Sequence, residues 1–570
     1  EYKDLNDIMK VRREYMLKEE EEQQLLMDIL PRFDLSAKQM KAILSEKRSD
    51  VSITASLAEM VENPYIIFEQ YIGMDSDDTI PFYKIDNGMI ASPEYGIADI
   101  FDAGATERLR AFCVDELNRI AAHSFGKAET ILKSINHRLD RMPDWKRYTY
   151  KLKNFKIDRD ILDKALEIKE DDDKTLYLYL KWVYEDERQI ENVFTMLAER
   201  PDISLKMAIT KEKFKKKLRN PESRLNETAS EQYEAILDKQ ADICMQIFSK
   251  PICVLAGAAG TGKTTVLKVI LYIHQALCRS EVQLMAPTGR AARRMVESTG
   301  CENASTMHLA LGLLGDDTDF EPDFEYLSAG FLNVDEVSMV DMHLAYEFFR
   351  RVSRHARVLL VGDKNQLPSV GAGDVFRQLI ACGLIPVTVL DLVYRQGALS
   401  SIPYNAKLMQ ENKTNLSFGE DFQFIACKGA DEAAEIVRRI YLDEIAKNGM
   451  DQVQILTPYR KRSAAGVDEL NKSVEDFVNP PIAGKKELHI GSQVFRVGDK
   501  ILQNKNTEMA SNGDLGRILD CITDEDGNAR AVIGFPDGRQ VQYEADQMEM
   551  IEHANATTIH KAQGSECPVV

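Results

Sequence analysis

Hydrophobic and polar positions change rhythm several times along the chain. In the first fifty residues Leu25, Leu26, Ile29 and Leu30 recur at helical spacing beside the run Lys18-Glu19-Glu20-Glu21-Glu22, which predicts helices with a solvated acidic face. A turn-rich stretch follows with Asn63-Pro64-Tyr65, and Asn87-Gly88 predicts a tight turn. Helical spacing returns over residues 105–139 and 171–200, where Leu176, Leu178, Leu180, Val183, Ile190, Val193 and Leu197 are the expected core. His123 has no Cys or carboxylate partner nearby and reads as structural. The basic run over residues 211–219, with Phe214 inside it, reads as a solvated helix face or linker ahead of a phosphate contact.

Beyond residue 250 short apolar runs alternate with helical patterns. Residues 252–256, 282–286, 330–334 and 357–361 are predicted strands, separated by helices at 265–271, 291–297 and 342–352, the pattern of a doubly wound parallel sheet. A second series takes in 387–390, 422–426 and 453–456 as strands, with helices at 430–446 and up to 477. Between 485 and 550 the chain switches to short strands broken by Asn512-Gly513, Asp526-Gly527-Asn528 and Pro536-Asp537-Gly538, which predicts a small β-barrel inserted in the second α/β unit.

Chemistry enters at Gly257-Ala258-Ala259-Gly260-Thr261-Gly262-Lys263-Thr264, which satisfies G-x-x-x-x-G-K-[ST] between an expected strand and an expected helix. Such a loop turns backbone N–H groups toward phosphate oxygens, adds the positive end of a helix, and sets Lys263 against the outer phosphates. Thr264 is the expected Mg²⁺ ligand, and Thr265, opening the expected helix, is counted with the nucleotide site. Asp335 and Glu336 end the strand Leu332-Asn333-Val334, at the sheet edge where ligands bind. Adjacent carboxylates there are costly without a cation, so Asp335 is read as the Mg²⁺ partner and Glu336 as the base or orienter of water. Asn333, polar in an apolar strand, needs a buried partner. Gln366, after Val358-Leu359-Leu360-Val361, suits a γ-phosphate sensor, and Arg395 could reach across as an arginine finger.

Composition narrows the class. The chain has 570 residues, too many for one core, and 44% hydrophobic with 29% charged residues is globular usage. No apolar run approaches the ~20 residues that cross a bilayer, so no membrane partner is expected, and a cytoplasmic location is. The polar start, Glu1-Tyr2-Lys3, has no initiator Met and predicts that the sequence begins inside a longer product. Nine cysteines without a C-x-x-C pair read as buried reduced thiols. A net charge of −20 argues against a general polyanion surface but leaves room for a local channel.

The ordered set Pro287-Thr288-Gly289-Arg290-Ala291-Ala292, Ser305-Thr306-Met307-His308, Asp335-Glu336-Val337-Ser338, Gly362-Asp363 with Gln366-Leu367-Pro368, Tyr394-Arg395-Gln396 and Thr558-Ile559-His560-Lys561-Ala562-Gln563-Gly564-Ser565-Glu566 resembles the RecD-like helicases of superfamily 1B over residues 225–570. A weaker match at Glu62-Asn63-Pro64-Tyr65 extends the resemblance to the N-terminal part. It implies two tandem RecA-like P-loop domains, at 216–385 and at 386–484 with 551–570. An SH3-like β-barrel insert at 485–550 and a mainly helical N-terminal region at 1–215, of helix-hairpin-helix type, complete the expected architecture. Gln232 is placed like the adenine-reading glutamine, and Gly257, Ala259, Gly260, Thr261, Gly262 and Gly564 join the nucleotide site. Pro287, Thr288, Arg290, Thr306, His308, Thr558, His560 and Lys561 match the single-strand channel, and residues 315–328 an acidic duplex-splitting pin or an inert loop. The family's last motif, in a Thr-Arg-Ala context, would follow Val570 by a few tens of residues, which predicts weakened hydrolysis in this polypeptide taken alone.

The function so implied is an ATP- and Mg²⁺-dependent DNA helicase moving 5′ to 3′ on single-stranded DNA and acting at duplex junctions, as in DNA repair. The alternatives are an RNA translocase and a nucleotide-gated DNA-binding or scaffold subunit whose N-terminal region docks a protein partner.

Overall fold

In a computed structural model of the chain the described residues run from 10 to 570 with the exception of 11, 14, 74–77, 121, 221–229, 259–260, 279, 314–324, 391–399, 462, 491–492, 506, 508 and 524–528; the side chains of 230 and 232 are also outside the described set. From Glu20 to Tyr95 the described residues form short helices, two of them begun by capping boxes at Ser36 with Gln39 and at Ser56 with Glu59. Asn87-Gly88 does not turn the chain: it lies inside the helix Phe82–Met89. Gly88 is there for closeness, since a Cβ would stand 2.5 Å from the Phe33 ring.

Next come α1 (Thr106–Arg119), β1 (Phe125–Lys127), α2 (Ala128–Asp140), two single turns at Asn154–Ile157 and Arg159–Leu162, then β2 (Leu166–Glu170) and β3 (Leu176–Leu180). The strands are antiparallel in the order β1-β3-β2, and with the helices before and between them this is the topology of a winged helix. The expected helix from residue 171 therefore starts only at α3 (Lys181–Ala198). Leu176, Leu178 and Leu180 are buried at a period of two with Tyr177 and Tyr179 on the other face, a strand alternation. Beneath α1, Asp86 takes Arg108, Lys146 and the Tyr65 hydroxyl at 2.8, 3.0 and 2.8 Å, so its buried charge is paired.

The basic run forms α4 (Lys211–Leu218), with Phe214 fully buried, lying on α5 (Ser230–Ser249). Lys211 pairs with Asp242 at 2.7 Å, Lys215 with Glu234 and Asp238 at 3.0 Å each, and Arg219 with Glu234. These cations are spent on a neighbouring helix.

The first RecA-like domain is a six-stranded parallel sheet in the order β6-β5-β7-β8-β4-β9, from β4 (Ile252–Gly257), β5 (Val282–Ala286), β6 (Ala304–Thr306), β7 (Phe331–Val334), β8 (Arg357–Gly362) and β9 (Val387–Leu390). Helices α6 (Lys263–Leu277), α7 (Gly289–Thr299) and α8 (Met342–Arg351) cover it. On α8, Phe349 meets Phe194 of α3 edge-on at 6.2 Å, and His343 Nδ1 lies 2.9 Å from Asp186, which fastens the N-terminal region to this domain. The expected second-domain strand 387–390 belongs here instead, for β9 pairs with β4 and sets Leu390 opposite Gly257. Asn333 is fully buried; its Nδ2 points at Met295 Sδ, 3.7 Å away, and its Oδ1 has no partner.

The second RecA-like domain holds α9 (Ala430–Asn448), β10 (Ile455–Thr457) and α10 (Val467–Val478). Its β10 pairs in parallel with β18 (Ala556–Thr558), and Val453 bridges Val569. The expected strand 422–426 is not formed: that stretch lies exposed, Phe424 at 74%.

Between these halves sits the SH3-like insert. The β11 (Glu487–Ile490) and β12 (Gln493–Arg496) hairpin joins a five-stranded antiparallel sheet, β16-β15-β14-β13-β17, made of β13 (Lys500–Gln503), β14 (Leu515–Thr523), β15 (Ala529–Gly534), β16 (Gln540–Glu544) and β17 (Ile551–His553). Phe495, Ile501, Ile518, Ala531 and Ile533 form its core.

Where the insert meets α10, Glu475 faces Asp499, which accepts from Arg496 N at 2.6 Å and from Asn479 Nδ2, with His553 Nε2 at 3.2 Å. Burial and the Asp499 charge push Glu475 well above the carboxylate range, and the donors hold Asp499 low. A carboxyl whose folded pKa is raised makes stability fall as pH climbs from its unfolded value toward the folded one. Glu475→Gln is therefore expected to be more stable than the parent by a margin that grows between pH 5 and 8 in thermal melts; an unchanging margin would count against this pairing.

Among the described residues no helix is long and apolar enough to cross a membrane. All nine cysteines are free; five are buried, whereas Cys382 and Cys427 are exposed, so burial of the thiols is not general.

Candidate functional site

The strands β4, β7 and β8 end at one edge of the first sheet, and each delivers part of a cavity of ≈ 830 Å³. From β4 comes the phosphate loop. A Cβ on Gly257 would meet Thr261 Oγ1 at 2.6 Å, and Gly262 sits at φ +93°, so both positions need glycine. Thr261, 1% exposed, donates through Oγ1 to the Ala258 carbonyl at 2.8 Å and closes the loop on itself. Lys263 opens α6 and donates its ammonium to the carbonyls of Gly257 and, at 3.2 Å, Ala258. Thr264 and Thr265 line the cavity beside it. Ala259 and Gly260 lie outside the described residues.

After β7, Asp335 N bonds Met285 O at 2.9 Å, and Asp335 Oδ1 accepts from Glu336 N at 2.8 Å. Glu336 is left-handed, φ +54°, a conformation that costs a side-chain-bearing residue about 1–3 kcal/mol and concentrates at functional sites. Burial raises Asp335; burial and then the Asp335 charge push Glu336 up to about 7, with Lys263 opposing both. Among the described residues Glu336 Oε2 and Gln366 Oε1 are buried atoms without a hydrogen-bond partner. Both residues line the cavity, and acceptors left open there are built for something that enters it. Thr264 and Asp335 could hold a Mg²⁺ ion through hard oxygen donors, and carboxyls raised by burial gain most from a nearby cation.

Sequence reasoning missed Arg294 on the far wall. Arg294 of α7 lines the cavity and reaches the second RecA-like domain, its guanidinium donating to Gly564 O at 2.6 Å and pairing with Glu566 at 2.8 Å. One turn before it, Arg290 donates to Ser565 Oγ, and burial holds its pKa down. Arg293 pairs with Asp514 and, at 3.4 Å, Asp537 of the SH3-like insert. The only signal was the spacing of Arg290 and Arg294, four apart on one helix face. Gly564, φ +70°, lines the cavity with Ser565 and Glu566. From α5, Tyr233, Leu237 and Gln240 line the cavity; Gln232 belongs to the same helix, but its side chain is outside the described set, as is all of Arg395. Arg294→Ala unties the two walls of the cavity and is expected to raise KM for ATP roughly tenfold, about 1.4 kcal/mol, with kcat less affected; steady-state ATPase kinetics check it.

The residues matched to a strand channel fall on two sheet edges. Pro287 and Thr288 follow β5 and Thr306 ends β6, beside Ala286 in register; Thr558 ends β18 opposite Thr457. Three hydroxyls serve the local chain: Thr288 caps Ala291 N, Thr306 caps Leu309 N, and Thr558 accepts from Lys561 N. His308 is lowered by burial, and His560 is exposed. Lys561 is held by Asn504 and Glu552 at 2.7 and 2.8 Å. Most of the expected pin, residues 314–324, lies outside the described residues.

Comparison with known proteins places this arrangement. Residues 235–430 match the AAA domain family, and residues 470–535 match the ATP-dependent RecD-like DNA helicase SH3 domain. The chain is 34% identical over 335 residues to the ATP-dependent RecD2 DNA helicase of Deinococcus radiodurans, covering 58% of this chain and 44% of that protein. It is 29% identical to the RecBCD enzyme subunit RecD of Mycolicibacterium smegmatis, over 59% of this chain and 66% of the subunit. It is 24% identical to an uncharacterized protein of Methanocaldococcus jannaschii over 98% of this chain and 54% of that one. The chain thus spans about half the length of the curated relatives it matches.

Proposed function

We propose that this RecD-like chain is an ATP-dependent DNA helicase whose two RecA-like domains move on single-stranded DNA, 5′ to 3′, and open duplex at a fork. The observation that carries the reading is the cavity itself: loop, paired carboxylates and Gln366 from the first RecA-like domain, closed by Gly564, Ser565 and Glu566 of the second. A nucleotide in it would touch both halves, so binding and hydrolysis change how they sit together.

Within the cavity the loop amides and the α6 N-terminus receive the phosphates, and Lys263 leaves the loop carbonyls to bind their outer oxygens. Mg²⁺, held by Thr264 and Asp335, would neutralise charge on the phosphates. Glu336, its pKa raised toward 7, takes a proton from the attacking water, and the Gln366 oxygen accepts from that water while its amide N–H registers the γ-phosphate. Loss of the γ-phosphate loosens the Arg290 and Arg294 contacts to 564–566, and the strand advances.

The test is ATP hydrolysis with and without a single-stranded oligonucleotide, followed by unwinding of forks with a 5′ or a 3′ tail. Stimulated hydrolysis and opening of the 5′-tailed fork are expected. Full-rate hydrolysis without DNA would overturn the motor, and a preference for RNA strands would reassign the substrate.

A further inference from the structure

We infer that residues 141–156 of the N-terminal region form a second single-stranded nucleic-acid contact, outside the motor cleft. In a chain of net charge −20, this stretch carries Arg141, Lys146, Arg147, Lys151, Lys153 and Lys156 against Asp144 alone. It is the connection between α2 and the two short turns of the winged helix, and buried side chains pin it at intervals. Lys146 donates to Asp86 at 3.0 Å, Tyr150 bonds Ala105 O at 2.9 Å and exchanges two 3.0 Å bonds with Asn136, and Phe155 is fully buried. Between those anchors the remaining cations point outward, all of them exposed.

Two of the outward cations are already engaged, Arg147 with Asp144 at 2.7 Å and Lys156 with Glu170 at 3.2 Å. Arg141, Lys151 and Lys153 have no carboxylate partner among the described residues, unlike the run on α4. Trp145 and Tyr148 stand among them with 44% and 42% of their surface open. Cations interleaved with open rings are what a phosphate backbone with unstacked bases needs, because the rings require a free base face that a duplex does not offer. A duplex docked in the usual way of a winged helix would also meet Asp171, Asp172 and Asp173 in the turn between β2 and β3. The polyanion favoured is therefore a single strand. The surface rests on the motor reading only for the identity of that polyanion, and it gives the strand a hold away from the parts that open and close.

The test uses the whole chain and a fluorescein-labelled oligothymidylate, read by anisotropy over a range of salt without nucleotide. Reversing Arg141, Lys151 and Lys153 to Glu is expected to weaken binding at least tenfold and to flatten the log–log salt slope by about 2. Trp145→Ala is expected to cost about 5- to 100-fold, and in a Trp182→Phe background the strand should quench Trp145 fluorescence. Arg141→Lys with Lys151→Arg and Lys153→Arg should restore binding, separating charge from folding. Unchanged affinity and slope in the Glu variant would overturn the proposal. So would equal competition by polyglutamate with no loss in Trp145→Ala, which marks an acidic-protein surface. Hydrolysis stimulated by the same strand is measured in parallel: stimulation with an inert patch removes this proposal alone, and a working patch without stimulation removes the motor alone.

Discussion

Lys263→Ala is expected to lower ATP turnover about 10³-fold, the loss typical when one preorganised charge or donor is removed from a transition state. The lysine is the cation at the loop, lying against the Gly257 and Ala258 carbonyls and lowering both Asp335 and Glu336. Without it the phosphates meet two carboxylates unscreened, so nucleotide affinity should drop as well. The fold should not suffer, because Lys263 is only half-buried and its contacts are to its own loop. Steady-state hydrolysis together with a thermal melt separates these effects. A variant that keeps more than about a tenth of its turnover would place the chemistry elsewhere.

Glu336→Gln is the second large effect, about 10²- to 10⁴-fold in kcat, the range for loss of a general base. The amide keeps the shape and removes both the base and one of two crowded charges, so nucleotide should bind at least as tightly while hydrolysis stops. The pH profile gives a sharper reading. With Glu336 near 7, kcat/KM, which reports the free protein, should climb with pH as the carboxyl ionises and level off above about 7. The Gln variant should lose that rising limb. A wild-type profile flat between pH 6 and 8 would mean that Glu336 does not titrate in the step.

The phosphate loop, the Asp335-Glu336 pair and Gln366 were legible because each is fixed in spacing and stands at a strand end, where a parallel sheet must present its ligands. Arg294 was not, since nothing local separates an arginine that crosses to Glu566 from one that meets solvent. The same limit hid β3, whose alternation abuts the helix α3 with no breaker between them, so period two merged into period 3.6. For β9 the strand itself was foreseen; its partner was not, because order within a parallel sheet is set by crossovers and not by sequence order. Gly88 misled as turn punctuation although its role is room for Phe33. The cations of α4 looked free until α5 supplied the carboxylates.

The register of β9 on β4 has a mechanical consequence. Gly257, where the phosphate loop begins, lies opposite Leu390, the last residue of the first sheet before the chain runs on to the second RecA-like domain. A Cβ added at Gly257 would stand 3.1 Å from Leu390 Cβ and 3.2 Å from Leu390 O, so only a glycine fits against that strand. A shift of the loop at Gly257 therefore requires Leu390 to give way with it. The connection to the second RecA-like domain thus starts one residue's width from the phosphate loop.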